Sequence, residues 1–247
     1  TSQTESRWPP RKRGLFHGFE PSWAQEIARG AFSCSLGWID FRLLGMRIAV
    51  SGSHSLGKST VVNDWVAGHG DYIREEEPYR VLGLQGPYEI LFREASTRLQ
   101  NGIQLYYSIS RVHRYATSDQ RVIFDRAPVD YLAYSQYTAN QGSTDIDDAF
   151  VRSMVPAVRE ALDHLDILAF VPQSDVWPVA MEDDGIRPVD QPYRAEVDAL
   201  FKQIYREGRF DVFPPLNRPL LIELVGSPDQ RLQQLSEAVA QLEARSR

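Results

Sequence analysis

The chain has 247 residues, 43% hydrophobic, 24% charged and 11% aromatic, an ordinary globular composition with enough length to bury a sizeable core. Its net charge of −6 argues against an electrostatic nucleic-acid binder, although backbone N–H groups can still bind phosphate locally. A lone cysteine, Cys34, excludes an internal disulfide framework and a thiolate-rich zinc site; no apolar run approaches the roughly eighteen residues that span a bilayer, so no membrane association and a reducing, cytoplasmic setting are expected.

Residues 1–45 read differently from the rest. They are polar up to Arg13, then carry scattered aromatics without a helical or strand period, and hold a net charge of +2 against −8 from Met46 onward. Acidic residues and scarce serines weaken a targeting reading. Met46 opens the first apolar strand directly, so residues 1–45 are expected to be an extension, disordered or lying before the native start, and residues 46–247 the domain.

From Met46 short apolar strands alternate with longer helical stretches, the pattern of a parallel α/β sheet. Strands are expected at Arg47 to Ser51, Tyr72 to Glu75, Arg121 to Asp125, Asp166 to Val171 and Leu220 to Val225. A helix from Lys58 to Ala67 has an apolar face of Val61, Val62, Trp65 and Val66. The stretch from Pro87 to Arg114 reads as mostly helical, in two pieces broken near Asn101-Gly102. After the last strand, Ser227-Pro228-Asp229-Gln230 supplies an N-cap, a proline at the first helical position and a capping box. Leu232, Leu235, Val239 and Leu242 form the buried stripe of that final helix.

Gly52-Ser53-His54-Ser55-Leu56-Gly57-Lys58-Ser59, followed by Thr60, matches the phosphate-loop pattern G-x-x-x-x-G-K-[ST] completely, with a strand before it and an amphipathic helix after it. The glycines let the loop curl so that successive N–H groups point at phosphate oxygens, and the helix N-terminus adds its positive end. Lys58 reaches the β- and γ-phosphates, and the Ser59 hydroxyl is placed to ligate Mg²⁺. The expected ligands are ATP and Mg²⁺.

Asp125 ends an apolar strand, where an acid can hold a Mg²⁺-bound water or orient an attacking hydroxyl. Arg126 follows it and would pair with an anionic or polar part of an acceptor. The plainer alternative is a strand-end ion pair feeding a turn at Ala127-Pro128.

A phosphate loop, an acid after the second strand and Asp-Arg after the third resemble the P-loop nucleoside and nucleotide kinases. The closest resemblance is to their AAA-like branch of ATP-binding proteins, similar to the ribosylnicotinamide kinase domain of the bacterial NAD regulator. It covers Met46 to the final helix, and implies a three-layer sandwich around a five-stranded parallel sheet, with the active cleft at the strands' carboxyl ends. Kinases of this kind place a carboxylate near the acceptor hydroxyl after the second strand; here the stretch is Glu75-Glu76-Glu77-Pro78, and Glu77 best fits the pattern. The branch also carries D-G-x-R and a later arginine, here Asp184-Gly185-Ile186-Arg187 and Arg194, as residues closing over the triphosphate; surface salt bridges are the alternative for both arginines. Similar kinases put adenine near the turn after the last strand, which is Gly226-Ser227.

Asp145 to Asp148 lacks the glycine and glutamate of a calcium loop and reads as a solvated helix start. Tyr106, Tyr107 and the tyrosines from Tyr131 to Tyr137 are core or rim aromatics, or line an acceptor pocket. Two functions follow: a kinase passing the γ-phosphoryl of ATP to a nucleoside-like riboside, or an ATPase or nucleotide switch working through a protein partner. The absence of an N-K-x-D motif and of Asp-Glu at the end of the third strand favours the kinase.

Overall fold

The computed structural model describes residues 45–181 and 190–245; the expected N-terminal extension, apart from Gly45, and Arg187 lie outside the described residues. Strands β1 (Arg47–Ser51), β2 (Tyr72–Glu75), β3 (Arg121–Asp125), β4 (Ile167–Phe170) and β5 (Leu220–Glu223) form one parallel sheet in the order β2-β3-β1-β4-β5. The last two strands are shorter than the apolar runs suggest. Helices are α1 (Lys58–Gly68), α2 (Arg98–Arg114), α3 (Asp130–Gln141), α4 (Asp148–Leu162), α5 (Gln191–Arg206) and α6 (Pro228–Arg245). None of the described helices is long and apolar enough to cross a membrane.

Alternation along each strand divides the core between two faces. Ile48, Val50, Ile123, Ile167 and Ala169 pack on one side with Val61, Val62 and Trp65 of α1 and Leu235 and Val239 of α6. Ala49, Val122, Phe124, Leu168 and Phe170 pack on the other with α2 to α5. Trp65 ties α1 to β2, stacking on His69 at 3.9 Å and meeting Tyr72 edge-on at 5.5 Å. The result is the expected three-layer sandwich.

Parallel register sets the site. Val50 lies beside Asp125 of β3 and Ala169 of β4, so the loop leaving β1 emerges between the ends of its two neighbours. The chain runs from β1 to one edge of the sheet and from β3 past β1 to the other, and open α/β sheets bind ligands in the crevice at such a point.

The stretch from Pro87 to Arg114 departs from expectation. Pro87 to Phe92 is not helical, Arg93–Ala95 is a single 3-10 turn, and α2 then runs unbroken through Asn101-Gly102. The break falls at Ser96-Thr97, where Thr97 accepts from the Gln100 N–H and Gln100 returns a bond to the Thr97 N–H. A capping box starts the helix, and burial of Leu105, Ile109 and Val112 outweighs the roughly 1 kcal/mol that glycine costs inside it. Ser227 and Gln230 form the other, expected box, and Asp147 caps α4 through the Phe150 N–H at 2.8 Å.

A Cβ at Gly102 would meet nothing within 4 Å. Gly102→Ala should therefore stabilise the protein by about 0.5–1 kcal/mol, and Thr97→Ala should destabilise it by about 1 kcal/mol, both read by urea denaturation. A destabilising Gly102→Ala would mean the helix is broken there.

Candidate active site

Gly52 has φ +136°, and a Cβ there would lie 2.5 Å from the Val171 carbonyl oxygen. Only glycine lets the loop turn this close to the strand beside it. Gly57, at φ +82°, starts α1. Between them the loop's carbonyls are held by cations from separate elements. Arg126 Nη1 donates to Gly52 at 2.8 Å, Arg194 Nη1 of α5 to Ser55 at 3.3 Å, and Arg231 Nη1 of α6 to Leu56 at 2.6 Å; Lys58 Nζ donates to the Ser53 carbonyl. A trans peptide plane points its N–H opposite its carbonyl. The N–H groups of Ser53 and Gly57, which follow arginine-held carbonyls, make no hydrogen bond within the described residues. A buried backbone donor such as that of Ser53 is rarely left so; a bound anion would satisfy both.

Lys58 is buried, and its pKa is lowered to about 7, by burial first and by nearby Arg126 second, while Asp130, Asp125 and Glu77 offset part of the shift. Its ammonium sits where a polyanion would restore its charge.

Arg126 joins the loop to a cleft. Its backbone adopts φ +102°, a left-handed conformation that costs on the order of 1–3 kcal/mol for a residue with a side chain. The side chain is pinned accordingly: Nε donates to Glu77 Oε1 at 3.0 Å, and Nη1 lies 3.2 Å from Asp130 Oδ2 and 2.8 Å from the Tyr134 hydroxyl. Burial opposes its charge, but Tyr134, Glu77 and Asp130 hold it firmly protonated. Asp130 is fully buried and accepts from Ser51 Oγ at 2.5 Å, which lies 2.6 Å from the Tyr205 hydroxyl. Since Ser51 gives its proton to Asp130, Tyr205 donates to Ser51. Burial raises the pKa of Asp130, with Arg126 the leading opposing charge.

Asp125 does not pair with Arg126. Its Oδ2 lies 3.5 Å from Arg74 Nη2, and its buried Oδ1 has no hydrogen-bond partner. Of the three glutamates at the end of β2 and just after it, Glu75 is tied to Arg111 and the Tyr115 hydroxyl and Glu76 to Arg74; Glu77 reaches Arg126. Ser59 is half-buried and Thr60 exposed on α1. Asp125 Oδ1 and the Ser59 hydroxyl are the oxygen donors that suit a hard cation, and Mg²⁺ takes few protein ligands beside phosphate. No group of three or more His, Cys, Asp or Glu is placed to hold a metal among the described residues.

The cleft opens about 620 Å³ beside the loop. Phe92, Tyr131, Tyr134 and Tyr193 form its aromatic walls; Glu77, Arg126, Asn101 and Gln104 supply polar groups. His54 of the loop also lines it, with its ring 4.9 Å from Tyr193. Arg93 lies 4.7 Å over the Tyr193 ring and 3.0 Å from Asp190. Tyr137 packs on Tyr193 at 4.6 Å, whereas Tyr106 is exposed. Gly226 follows β5, and a Cβ there would strike the Gln230 side chain of the capping box.

Sequence reasoning therefore names the loop, Asp125, Arg126, Glu77 and Arg194, which the fold brings together. It misses Ser51, Asp130, Tyr205, Arg93 and Arg231. Asp130 has a sequence signal, lying one helical turn after Arg126. Arg231 has another, lying one turn before Leu235 on the buried stripe of α6.

A family model described as an AAA domain matches residues 47–217. Among solved structures, the NadR protein in complex with NR is similar with a TM-score of 0.57 and 17% identity over 83% of this chain and 53% of that one; the chain thus spans about half the length of NadR. Deoxyadenosine kinase from M. mycoides is similar with a TM-score of 0.54 and 13% identity over 80% of this chain and 100% of that one. At these identities the likeness shows the fold. No curated protein sequence matches the chain significantly.

Burying charged Lys58 costs stability fully below pH about 7, and the cost fades as the pH rises toward its ordinary 10.5, because the unfolded chain then holds the proton that the folded one has lost. Lys58→Met should thus stabilise the ligand-free protein by on the order of a few kcal/mol near pH 6 and by much less near pH 10. Denaturant titrations of both proteins at both pH values check this; a constant difference would show that Lys58 is not held as a buried charge.

Proposed function

The chain belongs to the AAA domain family whose model it matches over residues 47–217, and from that premise we propose that it is a cytoplasmic kinase passing the γ-phosphoryl of Mg-ATP to a hydroxyl of a nucleoside-like riboside. The observation that carries this reading is the continuity of loop and cleft: Arg126 bonds both the Gly52 carbonyl and Glu77. Phosphoryl donor and acceptor would therefore adjoin inside one buried network. An ATPase needs no walled cleft of aromatic and amide side chains beside its phosphates.

In this reading the loop N–H groups and Lys58 bind the phosphates. Asp125 and Ser59 would hold Mg²⁺, which neutralises phosphate charge when bound. The aromatic walls take the acceptor's ring, with Asn101 and Gln104 offering hydrogen bonds to it. Glu77 orients the acceptor hydroxyl and takes its proton as the oxygen attacks the γ-phosphorus; the bond from that phosphorus to the β–γ bridging oxygen breaks and ADP leaves. Arg126, fixed by Glu77 and Asp130, stabilises the negative charge that builds on the transferred group. Arg194 steadies the loop at Ser55, and Gly226, in the turn after β5, would border the adenine.

The test is incubation with Mg-ATP and a panel of nucleosides and ribosides, following phosphorylated product and free phosphate separately. A phosphorylated acceptor is expected, with Asp125→Asn and Glu77→Gln each lowering turnover by roughly a hundredfold or more while nucleotide still binds. Brisk ATP hydrolysis without any phosphorylated acceptor would replace the kinase with an ATPase or switch. Wild-type turnover by Asp125→Asn would remove that residue from the chemistry.

A further inference from the structure

Arg231 is 4% exposed, yet none of its contacts is with an acid. Nη1 donates to the Leu56 carbonyl, and the buried Nε has no hydrogen-bond partner. Among the described residues no carboxylate pairs with it. Arg126, by contrast, has Glu77 and Asp130. Arg231 also sits in the first turn of α6, the positive end of the helix dipole, where a cation is disfavoured. Burial, with no charged neighbour acting on it, lowers its pKa. A charge kept in such surroundings is costly unless something negative joins it.

The missing charge has a place to come from. A Cβ on Gly57 would lie 3.1 Å from Arg231 Nη1, so the guanidinium rests against the second glycine of the phosphate loop. It bonds the Leu56 carbonyl of the Leu56–Gly57 peptide, whose N–H makes no hydrogen bond within the described residues. A cation on the carbonyl side of a peptide polarises it and strengthens the N–H on the other side as a donor.

We propose that Arg231 is a positioning residue for the polyphosphate of a bound nucleotide, orienting and polarising the Leu56–Gly57 peptide toward the anion and gaining from it the negative charge that the protein withholds. This rests on the phosphate-binding reading of the loop but not on the acceptor or the reaction. It also ties the final helix to occupancy of the site, because the same side chain docks α6 on the loop.

The 247-residue chain and its Arg231→Met variant are titrated with Mg-ATP and, separately, with inorganic tripolyphosphate, at low and high salt, and melted without ligand. Arg231→Met should melt at or above the wild-type temperature, because an unpaired buried charge has been removed. It should also bind both probes roughly tenfold more weakly, with a shallower salt dependence. A merely structural arginine would lower the melting temperature and leave affinity and salt dependence unchanged, which overturns the proposal. Loss confined to ATP, sparing tripolyphosphate, also overturns it, since Arg231 would then read the base or ribose. Arg231→Gln, which removes charge but keeps a donor, should show the same weakening and serves if Met does not fold; Arg231→Lys should recover most of the affinity. Wild-type protein that binds neither probe would mark failure of the phosphate-loop reading itself.

Discussion

Backbone carbonyls of one short loop, held by cations that come from other parts of the chain, are the constraint on which the site depends. Arg126 from the end of β3, Arg194 from α5 and Arg231 from α6 take the carbonyls of Gly52, Ser55 and Leu56. Because a peptide unit is rigid and trans, fixing its carbonyl also fixes its N–H. The loop's shape is thus set by the helices and strands around it as well as by its two glycines. Elements distant in sequence meet here because parallel pairing of β1 with β3 and β4 puts all their carboxyl ends at one edge of the sheet.

The same arrangement concentrates positive charge in a buried place. Arg126 is balanced by Glu77 and Asp130, and it can be held in a strained conformation because four groups grip its side chain. Lys58 and Arg231 are not balanced in this way, and burial lowers the pKa of each. Burying these two cations therefore carries an electrostatic cost that a polyphosphate would relieve. Sites commonly keep such cost where function needs it while the rest of the fold is locally consistent.

Much of this is legible in the sequence where the signal is contiguous. The strand, loop and helix over residues 47–68 can be read because an apolar run, two glycines and a lysine stand in fixed order. Glu77, Asp125 and Arg126 can be singled out because each lies at or just beyond the carboxyl end of a strand. Contacts made only by folding are less visible. Ser51, Asp130 and Tyr205 form one hydrogen-bonded chain from three distant segments, and nothing local to Ser51 or Tyr205 marks them as partners. The start of α2 is missed for a different reason: glycine propensity at Gly102 is a weak local effect, while the capping box at Thr97 and the buried face of the helix decide the boundary. The helix start expected at Asp145 to Asp148 is where α4 begins, with Asp147 as its cap; α3 and α5 are not singled out as helices, because tyrosines and aspartates are interspersed among their apolar positions.

The most direct test of this electrostatic account is the proton balance of nucleotide binding. Titration calorimetry with Mg-ADP, repeated in buffers of different ionisation enthalpy, reads the protons exchanged. With the Lys58 pKa lowered to about 7 in the ligand-free protein, binding near pH 8 should take up close to one proton per nucleotide, and near pH 6 almost none. Heats that do not depend on the buffer at either pH would show that Lys58 already carries its full charge before the phosphates arrive, and would contradict the account.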